Sequence, residues 1–178
     1  KSIFRQMPKH LSSLILLIIL TTVFPQSPAA KTNFRFMHIS GKDGLPYQQV
    51  EELLQDDKGR LWIGTRNGLS RYDGYNIVSY FNQEDNQNSL THNTIECIFQ
   101  DSKKRIWIGT HDGTCLYRPE TDDFKRYEPI ASSIIETHDG KIVCGGKQLY
   151  YYDEKSDNFI LVQRKDSEYI ISLAVDEQ

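Results

Sequence analysis

The chain has 178 residues, of which 21 are Lys or Arg and 24 are Asp or Glu, so its formal net charge is −3. A slightly acidic balance with 38% hydrophobic residues fits a globular protein and gives no electrostatic footprint for nucleic acid or for an anionic membrane. We therefore expect no nucleic-acid partner. We also expect no cofactor.

Residues 1–30 have the organisation of an export signal. Three basic residues within the first nine positions precede an apolar run from Leu11 to Phe24, and small residues end the segment at Ala29-Ala30. The competing interpretation is a membrane anchor, but the run has about 14 residues and a bilayer requires roughly 18 to 20. We predict a cleaved signal peptide and an exported protein, whose mature region has 18 basic (21 − 3) and 24 acidic residues.

Two segments that lie 45 residues apart are nearly identical. Residues 55–72 and 100–117 agree at ten of eighteen positions, and Trp62 and Trp107 occupy the same repeat position. A period of about 40 to 45 residues that contains several short strands is typical of a propeller blade. The repeat therefore predicts four-stranded antiparallel blades.

Turn residues separate the predicted strands of each repeat. Asn67-Gly68 and Asp112-Gly113 favour the type I′ turns that match the twist of a hairpin. Lys104 stands where the first repeat has Gly59, which implies a strained or differently shaped turn.

The predicted fold class is all-β, a partial β-propeller that occupies residues 31–178 after the signal peptide. We expect blade 1 at about residues 44–81, blade 2 at about 89–127 and blade 3 at about 133–162. Val143 stands at the tryptophan position of blade 3, and residues 169–178 are predicted to begin a fourth blade. Because blades cannot bury their faces alone, we expect this propeller to be incomplete.

The recurring and the differing positions of the repeat predict different roles. An exposed indole can stack on a sugar, but a tryptophan that returns in each blade is expected to pack between the sheets. Residues that differ between the copies are better candidates for ligand contact, and we predict this role for Arg66, Asn67, His111 and Asp112.

No catalytic or metal-binding constellation is predicted from the titratable residues. The histidines His38, His92, His111 and His138 share no metal-ligand spacing. The acidic pairs Glu51-Glu52, Asp56-Asp57 and Asp122-Asp123 could act as a general acid and base, but two of them fall at turns, where aspartate bonds to the backbone. An exported protein can form a disulfide, but buried thiols are the favoured interpretation of Cys97, Cys115 and Cys144.

The segment from Gln55 to Gly68, followed by Tyr72-Asp-Gly, resembles the two-component regulator propeller repeat, and the resemblance extends from Phe34 to about Gln178. It implies the exported sensor region of a protein with many such repeats, a β-sandwich domain, a membrane helix and a cytoplasmic histidine kinase. It further implies periplasmic sensing of an oligosaccharide to control carbohydrate-utilisation genes, with further blades, the β-sandwich and a second copy of the parent as partners. On this interpretation the present region is not itself an enzyme.

Two alternatives stay open at the level of sequence. Asp57-x-Gly59-x-x-Trp62 also resembles the Asp-box hairpin of sialidase-like propellers, which would make the protein an exported enzyme acting on carbohydrate. A propeller that serves as a protein-interaction surface fits the same residues.

Overall fold

The computed structural model describes residues 38–162 and 169–176. The predicted signal peptide at residues 1–30 lies outside the described residues. Within the described ranges the chain forms twelve β-strands and one 3-10 turn, Gly41–Asp43. No helix of these ranges has the length and apolar character needed to cross a bilayer.

The strands form three four-stranded antiparallel sheets, each with its strands in chain order. Blade 1 contains β1 (Val50–Gln55), β2 (Leu61–Thr65), β3 (Gly68–Tyr72) and β4 (Ile77–Tyr80). Blade 2 contains β5 (Ile95–Gln100), β6 (Ile106–Thr110), β7 (Gly113–Arg118) and β8 (Asp123–Tyr127). Blade 3 contains β9 (Ser133–Glu136), β10 (Ile142–Gly145), β11 (Leu149–Asp153) and β12 (Asn158–Leu161). The predicted all-β partial propeller of four-stranded blades is confirmed.

A buried aspartate organises the first hairpin of blade 1. The Asp56 side chain is fully buried and accepts hydrogen bonds from the backbone N–H groups of Lys58 and Arg60, at 3.0 and 2.9 Å, and from Trp62 Nε1 at 2.9 Å. Burial opposes the charge of this carboxylate, but these hydrogen bonds and the Arg60 guanidinium lower its pKa overall. In blade 2, Asp101 Oδ2 accepts a hydrogen bond from Trp107 Nε1 at the same distance of 2.9 Å.

The tip of the second hairpin differs from its predicted form. The turn of blade 1 consists of Arg66 and Asn67, between the paired residues Thr65 and Gly68. Neither turn residue has the positive φ that a type I′ turn requires, whereas Gly68 has φ 115°. The type I′ prediction was therefore wrong. The Thr65 hydroxyl accepts a hydrogen bond from Asn67 N and donates one to Gly68 O, which stabilises the observed turn.

Both tryptophans pack against the following blade, so their predicted packing role is confirmed. The side chains of Trp62 and Trp107 are completely buried. Trp62 belongs to the core between blades 1 and 2, where its ring contacts that of Tyr117 at a centroid distance of 4.8 Å. Trp107 belongs to the core between blades 2 and 3, where it contacts Tyr152 at 4.9 Å.

An aspartate on the last turn of blade 2 links that blade to blade 1. Asp122 Oδ1 accepts hydrogen bonds of 2.6 Å from Arg71 Nη1, Tyr80 Oη and Tyr117 Oη. Asp122 has φ 54°, a left-handed conformation that aspartate tolerates better than most residues. We call this arrangement of a cation, two tyrosines and an aspartate the interblade clamp.

The same clamp recurs between blades 2 and 3 with one substitution. Asp157, at φ 49°, accepts hydrogen bonds from Tyr127 at 2.9 Å, from Tyr152 at 2.6 Å and from Lys125. Lys125 lies on β8, the outer strand, whereas the clamp cation of blade 1 lies on β3. The two cations therefore come from neighbouring strands.

A glycine on the second strand of each blade permits close approach of the following segment. A Cβ atom on Gly64 would lie 2.7 Å from Ile95 Cγ2, and one on Gly145 would lie 2.6 Å from Ile170 Cγ2. Residues 169–176 form no strand, but Ile170 N donates a hydrogen bond to Gly146 O. Ile170 thus lies on blade 3 as Ile95 lies on blade 1, and the start of a fourth blade stays a prediction.

The three cysteines are free thiols. Cys115 and Cys144 are buried, and Cys97 is half-buried. Burial raises the pKa of Cys97 and of Cys144 to about 12. Because the thiolate is the reactive form, these raised pKa values disfavour reaction of Cys97 and Cys144.

Candidate ligand-binding cleft

A cleft of about 510 Å³ opens between blades 1 and 2, at the end of the sheets that carries the β2–β3 and β6–β7 turns. The segment that crosses from β4 to β5 reaches the same end, because β5 begins at Ile95 beside Thr110. Charged, imidazole and hydroxyl side chains dominate the lining, which comprises Glu51, Glu52, Arg66, His92, Thr94, Ile95, Glu96 and His111.

Two glutamates of the cleft stand at β-bulges. The pairing of β1 with β2 shifts register between Val50 and Glu52, and that of β5 with β6 shifts between Ile95 and Cys97. The residue at each shift is a glutamate, Glu51 in blade 1 and Glu96 in blade 2. A bulge re-aims a side chain away from the regular alternation of a strand and is common beside functional sites.

Each bulge glutamate faces a basic residue on the following hairpin turn. Glu51 Oε1 lies 2.7 Å from Arg66 Nε, and Glu96 Oε1 lies 3.4 Å from His111 Nδ1. The basic side chains are 61% and 70% exposed, so both remain accessible to a ligand. The cleft therefore carries two similar acid–base pairs, one from each blade.

Backbone hydrogen bonds fix the crossing segment against both hairpins. Asn93 O accepts a hydrogen bond from Gly68 N at 2.8 Å, and Thr94 O accepts one from His111 N at 3.1 Å. Thr94 N donates to His92 Nδ1 at 2.9 Å, which orients this imidazole, and the His92 and His111 rings are 5.4 Å apart. These bonds preorganise the cleft, which lowers the entropic cost of binding.

The longest loop, before this crossing, is also held in place. Arg126 on β8 donates hydrogen bonds to the carbonyl oxygens of Ser89 and Leu90 at 2.7 Å each, and Leu90 is fully buried. Asn82 Nδ2 donates to the carbonyl oxygens of Leu90 and Thr91. The loop that leads to the cleft residues His92 and Thr94 is therefore part of the packed structure.

The cleft is acidic overall and can both donate and accept hydrogen bonds. Burial, and then the neighbouring Glu51 charge, raise the pKa of Glu52, so this carboxyl holds its proton more firmly than an exposed glutamate does. Carboxylates accept hydrogen bonds, guanidinium and hydroxyl groups donate them, and imidazole can do either. Within residues 38–162 and 169–176, no three His, Cys, Asp or Glu side chains are placed to share a metal ion.

The structure brings together two of the four residues predicted from sequence. Arg66 and His111 line the cleft, whereas Asn67 and Asp112 are exposed on the same turns and do not line it. All four ligand contacts stay predictions. Sequence reasoning missed the bulge glutamates as partners of the basic residues, although the spacing of 15 residues occurs in both copies, at 51 and 66 and at 96 and 111.

Comparison with known proteins identifies the repeat. The model of the two component regulator propeller family matches residues 44–67 and 89–112, which contain both tryptophan hairpins. Histidine kinase P4 of Formosa agariphila is 37% identical over 63 residues, which are 35% of this chain and 5% of that protein.

Solved structures share the fold. The extracellular domain of one hybrid two component system of B. thetaiotaomicron is similar at a TM-score of 0.63 and 23% identity, over 71% of this chain and 20% of that one. A second such domain from that organism has a TM-score of 0.53 and 25% identity, over 61% of this chain and 17% of that one. The chain spans a fifth or less of the length of these relatives. The predicted two-component regulator propeller repeats are thus confirmed at residues 44–67 and 89–112, which contain the tryptophan hairpins of blades 1 and 2.

Proposed function

We propose that this chain is the ligand-sensing propeller of an exported, membrane-attached two-component sensor. The observation that carries the proposal is the coincidence of the family repeats with the cleft, because each matched repeat supplies one acid–base pair to it. The similar extracellular domains of hybrid two component systems support export, and the similar histidine kinase supports phosphotransfer as the output. The proposed location is the periplasm.

An oligosaccharide is the proposed ligand. The lining offers carboxylate acceptors and guanidinium, imidazole and hydroxyl donors at one end of the sheets, which suits a molecule with many hydroxyl groups. The proposed consequence of binding is a change in the transcription of carbohydrate-utilisation genes. The proposed structural partners are further blades and a β-sandwich of the parent, and a second copy of it. Leu53 on the uncovered face of blade 1 is 59% exposed and suits such packing.

Calorimetric titration of the chain with a set of oligosaccharides tests this proposal. We expect one class to bind, and we expect Arg66→Gln and His111→Gln each to weaken binding by about tenfold, because each removes a hydrogen bond to the ligand. Lys58→Gln is the matched control, since Lys58 lies on the β1–β2 turn at the opposite end of blade 1. Binding that survives both cleft substitutions would contradict the assignment of the cleft.

The same titrations separate the competing functions. Release of reducing sugar, with loss of turnover in Glu52→Gln, would indicate an exported enzyme instead of a sensor. If no oligosaccharide bound and the cleft variants instead lost a protein partner, the propeller would be an interaction surface. In the living cell, deletion of the gene is expected to abolish induction of transcripts by the oligosaccharide that binds.

A further inference from the structure

Blade 3 departs from the acid–base pairing of blades 1 and 2 at the equivalent place. Lys147 follows Gly145-Gly146 as Arg66 follows Gly64-Thr65, so all three blades present a basic residue at this repeat position. The residue that corresponds to the bulge glutamates is Ser132, which directly precedes β9 and whose N–H donates a hydrogen bond to Gly145 O at 2.8 Å. The third basic residue therefore lacks the carboxylate that its counterparts have.

Lys147 has no carboxylate partner among residues 38–162 and 169–176. Its side chain is exposed, and within the part of the chain that the structure describes it forms no ion pair. Arg66 and His111, by contrast, each share their donor groups with a glutamate. Of the three basic positions, only that of blade 3 has no glutamate partner within the described part of the chain.

Ile170 N donates a hydrogen bond to Gly146 O at 2.7 Å, which brings the preceding residue, Tyr169, to this turn of blade 3. The Tyr169 hydroxyl is 2.7 Å from Ser132 Oγ, so the polar group that replaces the glutamate fixes the tyrosine. The tyrosine is nevertheless 50% exposed. A half-exposed ring with a fixed hydroxyl offers an apolar surface at low conformational cost.

We propose that Ser132, Lys147 and Tyr169 form a subsite for an anionic sugar unit, one that bears a carboxylate or a sulfate group. The ammonium group of Lys147 would donate charge-assisted hydrogen bonds to the anion, and the ring of Tyr169 would contact the sugar. This inference rests on the proposed function and specifies its ligand class. The acidic cleft between blades 1 and 2 repels an anion, so the charged unit is placed at blade 3 and neutral units at the cleft.

Two pairs of probes test the subsite with the full chain. The first pair is tetragalacturonic acid and its methyl ester, and the second is a chondroitin sulfate tetrasaccharide and its desulfated form. We expect at least one charged probe to bind about tenfold more tightly than its less charged counterpart, and this preference to weaken as salt is raised.

Three variants test whether the preference for the charged probe arises at this subsite. Lys147→Gln is expected to remove it, and Ser132→Glu is expected to remove it as well, because the new carboxylate restores the pairing of blades 1 and 2. Tyr169→Ala is expected to weaken both members of a pair. Lys155→Gln makes the same charge change on the β11–β12 turn of blade 3 and is expected to leave the preference intact.

The outcomes separate this inference from the proposed function. Equal binding of charged and less charged probes, or a preference that survives Lys147→Gln, overturns the anionic subsite and leaves oligosaccharide sensing in place. Failure of every oligosaccharide to bind overturns the proposed function, and the subsite falls with it. Circular dichroism of each variant checks that a lost preference does not reflect unfolding.

Discussion

Blades 2 and 3 are consecutive copies of one repeat, yet their first hairpins are built from different residues. In blade 2 the buried Asp101 accepts a hydrogen bond from Trp107, whereas blade 3 has Thr137 and Val143 at the two positions. The Thr137 hydroxyl accepts a single backbone hydrogen bond of this turn, from Lys141 N at 3.1 Å. Blade 3 thus has neither the carboxylate nor the indole. The two groups are replaced together because a buried indole N–H needs an acceptor and a buried carboxylate needs donors.

Converting blade 2 to the blade 3 pattern is expected to have the largest effect on stability. Trp107→Val removes a fully buried side chain and should lower the free energy of unfolding by about 3–5 kcal/mol. Asp101→Thr leaves the indole N–H with a weaker acceptor and should cost about 1–3 kcal/mol. Because each change removes the partner of the other, the double variant should lose about 1–2 kcal/mol less than the sum. Chemical denaturation of the four proteins measures this coupling; strict additivity would show that the two residues act independently.

The two clamps differ in the strand that supplies the cation. In blade 1, Arg71 on β3 pairs with Val78 on β4. In the equivalent pair of blade 2, Leu116 lies on β7 and the cation Lys125 lies on β8. Both cations nevertheless reach the aspartate of the following blade. The interface therefore has a positive charge beside the aspartate in both cases, but that charge can come from either of two neighbouring strands.

Moving the cation in blade 1 tests this interpretation. Arg71→Leu should lower the free energy of unfolding by about 1.5–3 kcal/mol, because Asp122 loses a charged donor. Adding Val78→Lys should recover all but about 1 kcal/mol of that loss, since lysine then stands where Lys125 stands in blade 2. Val78→Lys alone is the control and should have an effect within about 0.5 kcal/mol. No recovery in the double variant would mean that the guanidinium geometry is required.

The turn between the first two strands has the same conformation in all three blades, although the residue with positive φ is not the same. Gly59 and Gly140 both have φ 77°, and Lys104 at the equivalent position has φ 66°. The sequence-based prediction of strain is therefore confirmed, and the shape of the turn is retained. Lys104→Gly should raise the free energy of unfolding by about 0.5–1 kcal/mol, and Gly59→Lys should lower it by about 1 kcal/mol. Thermal unfolding of both variants measures this difference; destabilisation by Lys104→Gly would show that the lysine side chain contributes more than its strain costs.

Acid is expected to weaken both clamps together, with a small effect at each. Burial opposes the charge of Asp122, but hydrogen bonds from Arg71 and the tyrosines lower its pKa to about 2, and the bond from Lys125 is the main reason why the pKa of Asp157 is about 2. The unfolded value is about 3.9, so this stability is present above about pH 4 and is lost as the pH falls towards 2. Solvent screening keeps each contribution below about 1 kcal/mol.

Measurement of the free energy of unfolding at a series of pH values checks that stability is lost as the pH falls. The difference between the wild type and Asp122→Asn/Asp157→Asn should be largest near neutral pH and should shrink between about pH 4 and pH 2. A difference that stays constant over this range would show that the ionised carboxylates do not stabilise the interfaces.

The blade architecture could be predicted from sequence because identical residues recur at a fixed spacing. Trp62 and Trp107 share one environment in two copies, so recurrence correctly indicated packing. The turn type was predicted wrongly, since the pairing of Thr65 with Gly68 places Arg66 and Asn67 at the tip, and the dipeptide Asn67-Gly68 does not reveal that register.

The contacts of the site and of the interfaces were less predictable for a physical reason. They join residues of different blades or of different strands, and their positions shift between copies. Arg71 and Lys125 do not align in the repeat, so their shared role in the clamp emerges only when the strands are paired. Glu51 and Glu96 reach their basic partners through bulges, which the alternation of a strand does not indicate.

The clamp also bears on how this gene can be rearranged. Blades 2 and 3 both present an aspartate and a tyrosine to the preceding blade, and blades 1 and 2 both present a cation and a tyrosine to the following one. A recombination event that deletes blade 2 would therefore place Asp157 of blade 3 against Arg71 of blade 1, with a matching interface. Blade 3 has Tyr151 and Ile160 at the two cation positions, so a duplication that placed it ahead of blade 2 would leave Asp122 without a cation. Loss of blade 2 would thus keep a complete clamp, whereas moving blade 3 ahead of blade 2 would not.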